Sequence, residues 1–172
     1  MLFFKRKYTW TVIFLWLFFS ACGYRFAGGG NFPSGIRSIN VKILENRTAE
    51  TGVENIFTND LIYEFVRHKK VVLTSSDKAD AILTGIIKSL RIRTISHKGE
   101  HTALERRAEV AVDLQLTDPD GRVKWSVNNV SLNETYNVAP DKQATEQNKR
   151  LAITALSKRL AEKIYNRLTD DF

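Results

Sequence analysis

A two-layer α+β sandwich, with two helices packed on a mostly antiparallel sheet of about four strands, is the fold class this sequence predicts. Three observations carry that prediction. Apolar residues alternate along residues 104–117 with the period of two that a half-buried strand requires. Asp118-Pro-Asp-Gly121 follows at once as a tight-turn signal. Ile153, Leu156, Leu160, Ile164 and Leu168 then recur at the helical period near the C-terminus.

Taken in order, residues 36–44 read as a strand with Ile39, Val41 and Ile43 on one face. Thr51-Gly-Val-Glu54 has the spacing of a capping box and opens a helix that runs to about His68. Its stripe is Val53, Ile56, Phe57, Leu61 and Phe65, and the basic run from Arg67 to Lys70 complements the C-terminal end of its dipole. Residues 71–73 form a short extended piece. Residues 79–95 make a long strand, with Leu90 and Ile92 on one face and Arg91 and Arg93 on the other. In the next strand Leu104, Ala108, Val110, Val112, Leu114 and Leu116 share a face. After the turn, Val123, Trp125 and Val127 switch parity to Val130, Leu132 and Tyr136, which a β-bulge at Asn128-Asn129 would produce. Residues 141–168 close the chain as a helix. Two one-sided helices and a one-sided sheet satisfy each other by stacking.

The chain has 172 residues with 43% hydrophobic and 26% charged content, the length and mixture of one globular domain. A single Cys excludes an internal disulfide and any zinc site built from several thiolates.

Residues 1–21 stand apart from the fold. Lys5, Arg6 and Lys7 form a positive start, residues 12–19 are an unbroken apolar run, and Ser20-Ala21 supplies small residues before Cys22. This is the pattern of a secretory signal peptide, and the apolar run is shorter than the roughly 20 residues of a spanning helix. Phe19-Ser20-Ala21-Cys22-Gly23 resembles the bacterial lipobox, in which the Cys is acylated and becomes the new N-terminus. The expected organisation is a lipoprotein signal peptide at 1–21, lipidated Cys22 with a Gly-rich linker at 22–35, and one domain at 36–172. Losing the three leader cations leaves 23 basic residues against 19 acidic. An exported domain with this mild surplus faces lipid phosphates; nucleic acid is not among its expected partners.

The chemistry-bearing motifs are few. His97-Lys-Gly-Glu-His101 matches the H-x-x-E-H string of inverted zinc proteases, which needs both His on one helical face and a further ligand downstream. Here the string carries Gly99 between two strand patterns, and no His follows residue 101. No G-x-S-x-G elbow is present. The expectation is therefore a protein with no catalytic residues, no metal and no cofactor. The constellation with a physical rationale is basic: Arg91, Arg93, Lys98, Arg106 and Arg107 gather around one hairpin end, where bidentate guanidinium contacts could grip phosphate. Glu100, Glu105 and Glu109 could instead neutralise them in cross-strand pairs.

Cys22-Gly-Tyr-Arg-Phe26 directly after a lipobox resembles the mature start of the LptE family of lipopolysaccharide-assembly lipoproteins. Ile39-Asn-Val-Lys-Ile43, the Gly-Val-Glu helix start and Ala79-Asp-Ala-Ile-Leu-Thr-Gly85 are similar too. The resemblance implies an outer-membrane lipoprotein, lipid-anchored on the periplasmic side. It implies that the protein assists assembly of the β-barrel LptD, plugs it, and binds lipopolysaccharide (LPS) on its way to the cell surface. A second resemblance, in the strand, the capped helix and the Ala-Asp-x-x-Leu-x-Gly pattern, is to outer-membrane lipoproteins that regulate a cell-wall synthase. Their reach requires a long linker, whereas about 13 residues here span at most ~45 Å.

Overall fold

The computed structural model describes residue 32, residues 35–98 and residues 102–170. Cys22, the linker ahead of residue 32 and the hairpin tip at 99–101 lie outside them. Eight elements follow in chain order: β1 (Ser38–Val41), β2 (Glu45–Asn46), α1 (Val53–His68), β3 (Val72–Leu73), β4 (Ala81–Lys98), β5 (Thr102–Thr117), β6 (Val123–Asn137) and α2 (Lys142–Asp170). The class is α+β with both helices on one sheet face, as expected. The sheet, however, has six strands in the order β3-β1-β4-β5-β6, with β2 also paired to β4, and it is mixed. β4, β5 and β6 form an antiparallel meander. β1 pairs parallel with β3 and β4, and β2 pairs parallel with β4. The cause is topological: a helix that returns the chain to the end where β1 started makes the next strand parallel to it.

The stretch read as one strand over 36–44 is a strand only at Ser38–Val41, and after a three-residue break the chain pairs again at Glu45–Asn46. Leu44 leaves the ladder and turns into the core, its N–H donating to Thr58 Oγ1 at 3.0 Å. Gly85 gives it room, since a Cβ there would meet Leu44 Cδ2 at 2.8 Å. Ile43, expected on the inner face, is thereby turned out and is 67% exposed. The capping box also fails to form. Gly52 caps α1 with φ 84° and no side-chain hydrogen bond, and Glu54 instead accepts from Asn46 Nδ2 at 2.8 Å. A left-handed residue is what Gly accommodates without cost.

The helix stripes are as read except at Ile56, which is only half-buried. Val53, Phe57, Leu61 and Phe65 of α1 and Ile153, Leu156, Leu160, Ile164 and Leu168 of α2 are all buried. Phe65 and Tyr165 meet edge to face at 5.5 Å, and His68 stacks on Tyr165 at 4.0 Å, locking the two helices together. Asp141 caps α2 by accepting the N–H of Ala144 at 2.7 Å.

The parity switch in β6 is a bulge. Val130 pairs with Val112 while Val127 pairs with Leu114, and Asn129 takes φ 56°. A second irregularity, at Lys88, lies on the other side of β5. Asp113 stands between them. Its Oδ1 accepts the Asn129 N–H at 2.6 Å and its Oδ2 pairs with Lys88 Nζ at 3.2 Å. The Asn129 N–H, reinforced by Lys88, holds this carboxyl below the ordinary range despite its partial desolvation. Asp113→Ala should cost about 1–3 kcal/mol, because one backbone donor and one cation lose a charged partner. Denaturant unfolding with an unchanged m-value would measure it, and a loss under 0.5 kcal/mol would show that the bulges hold without this clamp.

Asp118 begins the β5–β6 turn. Burial acts to raise its pKa, but hydrogen bonds from the Arg122 side chain and N–H, and from Lys124, win and lower it to about 2. Asp80 is also lowered, chiefly by the Arg37 N–H and then by Ser38, so it ties β1 to the start of β4. A carboxyl whose pKa is lower folded than unfolded stabilises wherever it is ionised. That contribution is complete above the unfolded value of about 4 and disappears as pH falls toward about 2. Stability should therefore drop on acidification through this window. Asp118→Asn should flatten the drop, and a thermal-melt series from pH 7 to pH 2 with identical slopes for both proteins would refute the assignment.

Candidate functional site

The helices cover one sheet face, burying Ala81, Leu83, Ile87, Ala108, Val110, Val112, Leu114 and Leu116. Among the described residues no element covers the opposite face, and the pairing register shows which residues share it. Arg91 lies opposite Glu109, Arg93 opposite Arg107, and Thr94 opposite Arg106. Residues directly opposite each other point to one face, and neighbours along a strand alternate. Arg91, Arg93 and Arg107 thus gather on the open face. Arg106 shares the other face, the one that carries Ala108 and the helices. The five-residue basic cluster read from the sequence is split by one strand register. Lys98 ends β4 opposite Thr102, beyond two further register shifts. His97 is exposed opposite Ala103, and His101 lies outside the described residues. Among the described residues, no three His, Cys, Asp or Glu side chains are grouped to hold a metal ion.

Neutralisation by acidic neighbours is real and incomplete. Arg93 Nε pairs with Glu109 Oε2 at 3.4 Å, with the arginine more than half exposed. Arg91, also exposed, flanks the same carboxylate across the ladder. Glu105 lies opposite Ser96, one step beyond Arg107. Arg107 is only partly exposed, and its Nε is shielded from solvent with no hydrogen-bond partner among the described residues. Among the described residues, three guanidinium groups therefore share the patch with two carboxylates. An anion held between Arg91 and the exposed part of Arg107 would relieve the repulsion between Arg93 and Arg107.

The same face carries features that the sequence reading missed. β6 contributes Ser131, Asn133, Thr135 and Asn137, opposite Ala111, Glu109, Arg107 and Glu105 respectively, a row of neutral hydrogen-bonding groups beside the arginines. Toward the β2 end of the sheet lies a shallow concavity of about 580 Å³, bordered by Lys42, Glu45, Thr84, Gln115, Ser126 and Asn128. Thr84, Gln115 and Ser126 are polar positions alternating with buried ones, so period two contained this signal. What it lacked was the pairing of β2 with β4, which closes the concavity.

The comparisons with known proteins agree with this architecture. A family model described as "LptE: Lipopolysaccharide-assembly" matches residues 36–168. Among solved structures, lipoprotein B from Nitrosomonas europaea is similar with a TM-score of 0.57 at 13% identity, covering 78% of this chain and 83% of its own. A minor lipoprotein from Acinetobacter baumannii gives a TM-score of 0.54 at 17% identity, covering 79% and 92%. Rare lipoprotein B from Shewanella oneidensis gives 0.52 at 14% identity, covering 77% and 95%. At these identities the likeness is one of fold. A search of curated proteins finds no match.

Proposed function

The chain belongs to the LptE family of lipopolysaccharide-assembly proteins, and from that premise we propose that it is an outer-membrane lipoprotein, anchored on the periplasmic side through acylated Cys22. In this reading it assists assembly of an LptD-type β-barrel, plugs it, and binds LPS in transit. The proposed organisation remains a signal peptide at 1–21, a lipidated Gly-rich linker at 22–35 and one domain at 36–172. The observation that carries the LPS part is the open sheet face, where Arg91, Arg93 and Arg107 meet around a partly shielded guanidinium. A phosphorylated sugar head group presents what that surface lacks, anionic oxygens for the arginines and hydroxyls for the β6 amide and hydroxyl row. Arg106 would act from the other face, so its part in phosphate binding is the smaller one, and Lys98 stays a candidate by its place at the end of the strand.

Charge-assisted contacts to phosphate contribute about 1.5–3 kcal/mol each, so two of them govern capture. Arg91→Glu with Arg93→Glu should weaken LPS binding by roughly a hundredfold or more. Glu replacements of exposed Lys158 and Arg167 on α2 should change it little. Purified double mutant binding LPS at wild-type affinity in moderate salt would remove these arginines from the site.

The barrel and anchor parts are read in one experiment. The chain, affinity-purified from membranes through a C-terminal tag, should carry a diacylated N-terminal Cys22 by mass spectrometry and a large heat-modifiable β-barrel protein. A soluble cell-wall synthase domain in place of the barrel would favour the regulatory reading, and unmodified Cys22 would end the anchor.

A further inference from the structure

The sheet guards its edges unequally. At one side the edge is β3, two residues long, too short to template another chain. At the other side β6 is long, but its outward carbonyls are partly occupied: Lys163 Nζ donates to Ser131 O at 3.2 Å and Asn148 Nδ2 to Asn137 O at 2.9 Å. The upper half of β4 is different. β1 leaves it at Leu83 and β2 at Ile87, where Arg47 N donates to Ile87 O at 3.0 Å. Its other side stays paired with β5 to the Lys98–Thr102 pair. Among the described residues, no strand pairs with β4 on its free side between residues 89 and 98.

The hydrogen-bond phase tells which groups this edge presents. Leu83 O and Ile87 O face away from β5, because they accept from Lys42 and Arg47. Val138 N donates to Leu104 O, which sets the even-numbered residues of β5 from Leu104 to Val112 toward β6 and the odd-numbered ones toward β4. Across the Lys88 irregularity, Ser89, Arg91 and Arg93 therefore bond to β5. Leu90, Ile92 and Thr94 turn their N–H and C=O groups to the free side. The run from Ser89 to Thr94 contains no Pro and no Gly, and its register with β5 is unbroken.

We infer that this free edge of β4 is a strand-addition site for an extended segment of a different protein, whose side chains alternate acidic and apolar. A strand laid there places one set of side chains beside Arg91 and Arg93 on the open face. It places the other set beside Leu90 and Ile92, the latter 37% exposed on the side where the helices give out. Opposite charges across a ladder stabilise it and like charges destabilise it, so acidic residues fit the first set and apolar residues the second. The same rule disfavours a second copy of this chain, because self-pairing would set arginine against arginine. The inference stands apart from LPS binding, although both use the two arginines, and the test separates them.

The probe is a fluorescein-labelled peptide, Thr-Val-Glu-Val-Asp-Val-Glu-Thr, titrated with the purified full chain and followed by anisotropy. Binding is expected, with a version carrying Lys in place of each acid binding at least about tenfold more weakly. A version N-methylated at alternate residues keeps every side chain but cannot complete the ladder, and it should not bind. Ile92→Pro removes an outward donor without touching the β5 ladder, the position at which an edge strand tolerates proline. It should weaken peptide binding by about tenfold while LPS binding is retained. Arg91→Glu with Arg93→Glu should invert the preference toward the Lys peptide, a gain that a misfolded protein could not show. Failure of the acidic peptide to bind, equal binding of the N-methylated peptide, or an uninverted preference in the double mutant would each overturn the inference, whatever the outcome for LPS.

Discussion

Burial of a single sheet face beneath α1 and α2 is the constraint on which the other features depend. Ile39, Leu83, Ile87, Val110, Val112 and Leu116 are almost wholly removed from water because Phe65, Leu156, Leu160, Ile164 and Leu168 lie over them. Each such side chain contributes about 1.5–3 kcal/mol when fully buried. A sheet that spends its apolar residues on one face must be polar on the other, and that other face is where the arginines, hydroxyls and amides collect. The helices also stop short. The exposed Ile92, Ile95 and Leu104 mark the limit of their cover, and beyond it the hairpin stands out as a blade.

Length creates a second problem, which the bulges solve. A strand of 15–18 residues spans about 50–60 Å, and a perfectly regular sheet of that length would twist its inner face away from the helices. β4 absorbs an extra residue at Lys88 and β6 another at Asn129, one on each side of Asp113. Both insertions reset the parity so that apolar residues return to the covered face above the break. The carboxylate between them satisfies the backbone N–H that the β6 bulge would otherwise leave to solvent. Keeping the inner face apolar along this length also keeps the outer face continuous, from the concavity near Lys42 to the arginines near the hairpin end.

The basic end of the sheet follows from the same register. Arg93 and Arg107 are forced opposite each other by the pairing that places Ile92 opposite Ala108 on the covered side. Like charges directly across a ladder are unfavourable, and Glu109 compensates for only part of the excess. The residual demand for negative charge is thus a consequence of how the core is registered, and a phosphate-bearing ligand is one way to meet it. Placing that demand on a blade projecting past the helices makes it accessible to large partners.

Period and punctuation alone determined much of this protein. The two helical stripes, the antiparallel meander from residue 81 to 137, the Asp118-Pro-Asp-Gly121 turn and the bulge at Asn128-Asn129 were all legible, because each rests on residues adjacent in sequence. The family, too, was legible in short motifs. What the sequence left undetermined depends on contacts between distant segments. The parallel pairing of β1 and the separation of β2 required the return path of α1 and the pull of Thr58 on Leu44, 14 residues away. Gly52 takes the cap position in place of the expected capping box, and Glu54 accepts from Asn46, eight residues earlier. Above all, the sequence showed five basic residues near one hairpin but not which of them face the same way. Side-chain direction in a sheet is set by register, and register is a relation between strands, so only the tertiary structure could separate Arg106 from Arg91, Arg93 and Arg107.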